Sequence, residues 1–191
     1  RTLVEDLRGH KYTKPYSYMK EYIAAMKSAL YRAVAPKAEP PLVIAALHPK
    51  MLALTAREAR GTHTAFCLPE HTKHAREVMG PDTWVCPSVM AILERDATKA
   101  RARARLQLSF YANQENYQRI FLAQGFTRAD FENGCSDHLV DTVIPWGNEE
   151  HIRDRLDAHL AAGANHVCLM PLSCDNPNLP DERALEAFAP R

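Results

Sequence analysis

Short unbroken apolar runs alternate along this chain with longer segments in which apolar residues recur every three or four positions. That alternation is the signature of βα units built on a parallel sheet. The run Leu42-Val43-Ile44-Ala45-Ala46-Leu47 has no polar break, as expected of a strand buried on both faces. Similar runs at 64–68, 84–93 and 166–170 bring the expected number of strands to four. Pro87 marks the early part of the third run as irregular or an edge. Helices are predicted over 15–33, 49–60, up to Met79 after Pro69-Glu70-His71-Thr72, 97–124, 137–144 and 149–162. The first has Pro15 in its opening turn and an apolar stripe of Met19, Tyr22, Ile23, Met26 and Leu30. Gly61 is expected to end the 49–60 helix, and Gly163 the 149–162 helix. The segment 126–134 reads as a loop with one helical turn. The proline-bearing tail, 173–191, reads as a surface wrap with a short helix near 182–188.

A chain of 191 residues, 46% hydrophobic, is sized for one core, so 1–191 is expected to be a single domain. With 24 Lys and Arg against 23 Asp and Glu, no charge imbalance draws it to nucleic acid or to an acidic membrane. No apolar run approaches the ~20 residues that span a bilayer. The five cysteines are odd in number, widely spaced and without a Cys-x-x-Cys pair. Reduced thiols in a cytoplasmic protein are therefore expected, with no disulfide framework. Cys67, Cys86 and Cys168 lie in apolar runs, where the thiol behaves as a small hydrophobe.

Four strands cannot close a (β/α)8 barrel, which needs eight strands and about 250 residues. The chain opens on Arg1 with no Met. The expectation is either a first half lying before Arg1 or a half-barrel that covers its open strand edges by pairing, most simply as a homodimer.

Several segments together carry a family resemblance. They are Ala45-Ala46-Leu47-His48-Pro49-Lys50-Met51-Leu52, Pro69-Glu70-His71-Thr72, Asn116-Tyr117, Gly125-Phe126-Thr127, Asp137-His138-Leu139-Val140-Asp141, Trp146-Gly147 and Ala162-Gly163-Ala164-Asn165-His166-Val167. In order and spacing they resemble the C-terminal half of the luciferase-like monooxygenases, in the branch that depends on coenzyme F420. Gly9-His10-Lys11-Tyr12 with Pro15, Met19 and Tyr22 is similar to the stretch just after that family's fourth strand. The resemblance implies a TIM-barrel-like α/β fold, often dimeric, of which this chain carries about the last four βα units. It also implies hydride transfer or monooxygenation with a reduced deazaflavin (F420), or second with flavin mononucleotide (FMN). This sequence departs from the family in having His48 for the usual Gly, Arg60 for the usual Asp before Gly61, and no counterpart of strands one to four.

In barrels of this kind the active face is the C-terminal end of the strands. That rule points to 47–50, Glu70-His71-Thr72, Glu94 and Ser173-Cys174. The resemblance places the coenzyme phosphate at Leu47, His48, Pro49 and Lys50, with Ala46 and with Thr62, in the step leading into the next strand, counted among the coenzyme-binding residues. A helix N-terminus attracts anions, and Lys50 adds a positive charge. The competing account is an ordinary strand-to-helix turn with a solvated lysine. His48 either blocks close backbone approach or itself contacts the phosphate. Glu70 and His71 are the candidate acid/base pair, since an imidazole titrates near neutrality. The competing account there is a helix start with a favourably placed carboxylate. His63, Cys67, His71 and His74 lack the tight spacing of a zinc site, so no metal is expected. Arg101, Arg103 and Arg105 read as a solvated helix surface, and Phe110, Tyr111, Tyr117 and Phe121 as core or dimer contact.

The function these features favour is a luciferase-type oxidoreductase acting on a small organic substrate. The alternative is a non-catalytic truncated barrel that serves as a dimeric flavin-binding or assembly protein.

Overall fold

The computed structural model describes residues 2–189. Four strands, β1 (Val43–Ala45), β2 (Gly61–Ala65), β3 (Trp84–Ala91) and β4 (Cys168–Pro171), lie side by side in chain order, all parallel. Helices α1 (Thr2–Glu5) and α2 (Pro15–Ser28) precede the sheet. Helix α3 (Pro49–Glu58) links β1 to β2, and α4 (Pro69–Met79) links β2 to β3. Between β3 and β4 come α5 (Ala97–Ala112), α6 (Glu115–Ala123), a 3-10 segment (Arg128–Gly134), α7 (Asp137–Val143) and α8 (Glu149–Ala161). Helix α9 (Glu182–Phe188) follows β4. Among the described residues this is an α/β fold with half the strands of a closed barrel.

One face of the sheet is packed. Ile44 of β1 meets Ile23 of α2 and Leu54 of α3, while Ala46, Leu52, Ala75, Met79 and Val85 join β1, α3, α4 and β3. The other face is only partly covered. Period-2 alternation places Val43, Ala45, His63, Ala65, Trp84, Cys86, Cys168 and Met170 on it together with the buried Ser88 and Met90, and Val43 and Met170 are 38% and 41% exposed. The largest core lies elsewhere, beyond the C-terminal ends of the strands. There Phe66, Cys67, Met90 and Ile92 pack against Ala100, Leu108, Ile120, Phe121, Leu139 and Ile144 of the helices that follow β3.

Several expectations shift. Helix α2 ends at Ser28, not 33, and of its expected stripe only Ile23 is buried; Tyr22, Met26 and Leu30 are exposed. Strand β2 starts at Gly61, so Gly61 is not a helix stop: its φ is not left-handed, and it instead brings β2 close to Trp84. The strand ends at Ala65 because Phe66 turns to φ 58°. The 97–124 helix is broken at Asn113 and Gln114. There the Asn113 side chain takes the Ser109 carbonyl (2.8 Å) and Gln118 takes that of Ala112 (2.7 Å), side-chain competition that ends α5.

Pro87 sits in a central strand, not an edge. Val85 exchanges hydrogen bonds with Asn165 and Ala91 accepts from Leu172, so the odd-numbered residues of β3 face β4. β4 begins only opposite Ser88. The missing Pro87 N–H therefore faces the stretch before β4 starts and costs the ladder nothing.

The Arg101–Arg105 run is not a solvated surface either. Arg101 makes a bidentate pair with Asp141 (2.6 and 3.0 Å), which also accepts from Trp146 Nε1 (2.8 Å). Arg105 donates to the Cys135 carbonyl (3.1 Å) and pairs with Asp137. Arg103 is buried and donates to the Ser173 carbonyl (2.8 Å). Two-residue spacing sends the first and third arginines to α7 and the middle one to the tail.

Candidate functional site

The C-terminal ends of β1 and β2 carry the residues singled out from the sequence. Ala46, Leu47, His48, Pro49 and Lys50 form the turn from β1 into α3. Pro49 sits in the first turn, where it has no N–H to leave unpaired, and His48 is the residue before it, in extended conformation. The Lys50 N–H lies in that same first turn, where no intrahelical partner exists. Lys50 is exposed, and no carboxylate stands in 46–51. The Met51 and Leu52 N–H groups both bond the His48 carbonyl at 2.9 Å, so the Lys50 N–H is the one left open in that turn; with a positive helix end and a lysine side chain it suits an anionic group. The His48 imidazole is drawn to α6, its Nε2 lying 3.1 Å from Asn116 Oδ1. Thr62 lies beneath the turn, fully buried, with its hydroxyl 3.1 Å from the Ile44 carbonyl and 3.4 Å from that of Ala46. It ties β2 to the end of β1 and does not reach the surface.

The second candidate segment is the start of α4. The chain turns at Phe66, whose left-handed backbone is unusual for an aromatic residue. Gln124, at the end of α6, closes this turn: its Oε1 accepts from the Leu68 N–H (2.6 Å) and its Nε2 donates to the Phe66 carbonyl (3.1 Å). The rings of Tyr111 and Tyr117 pack on Phe66 at 4.5 and 5.4 Å. His71 is buried, and its Nε2 donates to the Leu47 carbonyl at 2.7 Å. That bond fixes the proton on Nε2. Its Nδ1 has no hydrogen-bond partner among the described residues. Burial, above all, pushes the His71 pKa below its ordinary value, so the ring is neutral near neutral pH.

Glu70 is exposed at the start of α4, while His71 points the other way, toward Leu47. The two are neighbours in sequence without forming a hydrogen-bonded pair. Glu70 is instead one of the charges felt by Arg155 and His159 of α8. His159 is buried, with Nδ1 2.8 Å from the Thr72 hydroxyl, and its pKa is pushed down to about 4, chiefly by burial and then by Arg155.

The remaining candidates lie at the ends of β3 and β4. Glu94 accepts from the Asp96 N–H (2.9 Å) and borders a hollow of about 510 Å³ with Arg95, Glu149, Glu150 and Arg183. Ser173 caps the next turn, its hydroxyl accepting from the N–H groups of Asp175 and Asn176 (both 3.2 Å). Cys174 is half-buried, and its thiol pKa is raised by burial and by Glu94. Among the described residues, no group of three or more His, Cys, Asp or Glu is arranged to hold a metal ion, and no helix is long and apolar enough to cross a membrane.

The family model for luciferase-like monooxygenases matches residues 1–166. The chain belongs to that family. Solved structures similar to it include an F420-dependent secondary alcohol dehydrogenase in complex with an F420-acetone adduct (15% identity, TM-score 0.61, 86% of this chain and 59% of that one). Another is the coenzyme F420-dependent tetrahydromethanopterin reductase from Methanopyrus kandleri (17% identity, TM-score 0.56, 77% of this chain and 48% of that one). A third is apo-MsnO8 (18% identity, TM-score 0.54, 93% of this chain and 61% of that one). At these identities the likeness concerns the fold, which is of the luciferase-like TIM-barrel type. The family member described here spans about half to three-fifths of the length of these structures. No curated protein gives a significant match.

The residues that sequence reasoning missed at the ends of β1 and β2 sit on α6, directly after it, or on α8. Asn116 and Gln124 touch the two strand ends from 68 and 56 residues away, and His159 meets Thr72 across 87 residues. No local period or motif announces such contacts. The segments 116–117 and 125–127 stood out only through the family resemblance.

Proposed function

We propose that this luciferase-family chain is the phosphate-holding half of an oxidoreductase that uses coenzyme F420, with FMN as second choice, on a small organic substrate. The observation that carries this reading is the 46–50 turn: a helix N-terminus with an exposed lysine and no Asp or Glu within the turn, at the strand end where barrel sites lie. When bound, the reduced deazaflavin would supply the hydride, its own chemistry. The protein's part is to hold and orient it. Leu47, His48 and Lys50 would face the phosphate, Ala46 and Pro49 would shape the turn, and Thr62 would support it from below. His71, neutral and bonded to Leu47, would serve as a post for that turn. An acid/base role for it would need its free Nδ1 to become accessible.

The direct test is a fluorescence titration of the protein with F420 and, separately, with FMN. Saturable binding of the deazaflavin is expected. Replacing Lys50 by alanine is expected to weaken that binding about tenfold, the scale of one charge-assisted contact. An affinity unchanged in Lys50→Ala would remove the turn from the binding site.

A second reading, a dimeric flavin-binding or assembly protein without catalysis, draws on the partly covered sheet face and on the exposed Tyr18, Tyr22 and Met26 of α2. These surfaces suit a covering partner, most simply a second copy. The two readings part on turnover: coenzyme bound without oxidation or reduction of any alcohol or aldehyde substrate favours the second.

A further inference from the structure

Helix α6 touches both strand ends of the candidate site. Its first turn meets His48 through Asn116, its Tyr117 ring packs on Phe66, and Gln124 at its end holds the Phe66–Leu68 turn. Gln124 meets the two backbone groups that the chain frees where β2 stops and α4 starts. A glutamine amide is the neutral side chain that can accept from one and donate to the other. What it holds is a left-handed aromatic residue, a conformation that persists only where the surroundings fix it. Three residues on, His71 projects from the first turn of α4 and donates to the Leu47 carbonyl.

We propose that Gln124 is a positioning residue that sets the shape of the 47–50 turn through two links: its amide clamps Phe66–Leu68, and the α4 start so fixed aims His71 at the Leu47 carbonyl. The inference rests on the coenzyme reading of that turn for its functional meaning, but the mechanical coupling stands on its own. Neither link touches the coenzyme. Both residues act by holding the backbone whose Lys50 N–H would receive an anion.

The test compares Gln124→Met, which keeps length and loses both hydrogen bonds, with Gln124→Glu, which can accept from Leu68 but cannot donate to Phe66. It also compares His71→Gln, whose amide N–H stands close to where Nε2–H was, with His71→Met. Hydrogen exchange is followed by mass spectrometry in segments 47–51, where the reporting amide is Met51 N–H bonded to the His48 carbonyl at 2.9 Å, 66–72 and 88–91, alongside F420 titration. Gln124→Met is expected to speed exchange about tenfold in both 66–72 and 47–51, leaving 88–91 unchanged, and to weaken F420 binding about tenfold. Gln124→Glu should fall between it and the parent. His71→Gln should protect 47–51 as the parent does, and His71→Met should not. Faster exchange confined to 66–72, or equal effects of the two His71 variants on 47–51, overturns the coupling. If the parent binds no F420, the coenzyme reading fails while the exchange data still decide the coupling.

Discussion

Gly61→Ala is expected to lower the free energy of unfolding by about 3 kcal/mol, at the upper end for overpacking a tight site. A Cβ on residue 61 would lie 2.5 Å from the Trp84 Cβ and 2.7 Å from the Trp84 carbonyl oxygen. Neither neighbour can give way cheaply. Residue 61 is in register with both Val43 and Trp84, and the Trp84 N–H is bonded to the Arg60 carbonyl at 2.8 Å. The Trp84 ring is further held under the Arg60 guanidinium at 5.3 Å. Separating β2 from β3 by the missing half ångström or more would strain the central pairing of the sheet. Gly80→Ala is the control. Its φ of +80° with ψ of 172° is a conformation nearly exclusive to glycine, but nothing lies within 4 Å of the added atom, so only the local backbone cost of roughly 2 kcal/mol is expected. Urea unfolding of both variants checks the order. If Gly80→Ala proves the more damaging, close approach is not what requires glycine at 61.

The same pair of residues shows what the sequence could and could not reveal. Gly61 after a helical pattern reads as a helix stop, since local pattern knows only the chain's own turns. That it is a strand residue lying against Trp84 depends on a contact 23 positions away. Strand number, order of elements and the positions of α3, α4, α7 and α9 were legible because their apolar periods and prolines are local. The 46–50 turn was legible for the same reason: a strand, a proline and a helix follow one another. The clamp by Gln124, the buried Thr72–His159 pair and the anchoring of Arg101 and Arg103 were not, for each joins elements 30 or more residues apart through polar side chains with no periodic signature. A polar residue in a helix looks solvated until tertiary contacts are known. Arg103 is the plainest case, read as surface yet 8% exposed.

Acid should destabilise the protein well above the range in which carboxylates titrate, and His159 is the reason. Its ordinary pKa of 6.5 falls to about 4 in the folded chain, because the ring is buried and Arg155 stands nearby, with Glu70 opposing the shift and His71 adding to it. The unfolded chain therefore takes up the proton first. Below pH 6.5 each unit of pH removes about 1.4 kcal/mol of stability, until the folded ring is protonated too near pH 4. The full loss across that window is roughly 3 kcal/mol, a sizeable part of the 5–15 kcal/mol typical of folded domains. His71, also lowered by burial, acts with the same sign. Asp130, Asp141 and Asp181 are held below their ordinary 3.8 by hydrogen bonds from Ser136, Arg101 and Arg183. Their contributions are present above 3.8 and vanish only as the pH falls further, so the two sets of groups act in separate windows. Urea unfolding at pH 7.0, 5.5 and 4.5 is expected to show the decline, and His159→Gln to flatten it while starting from lower stability, since Thr72 loses its partner. A titration of the ring by NMR covers the case in which that variant does not fold. A His159 that protonates in the folded chain near 6.5, or a decline of equal slope in His159→Gln, would remove the buried imidazole as the source of acid sensitivity.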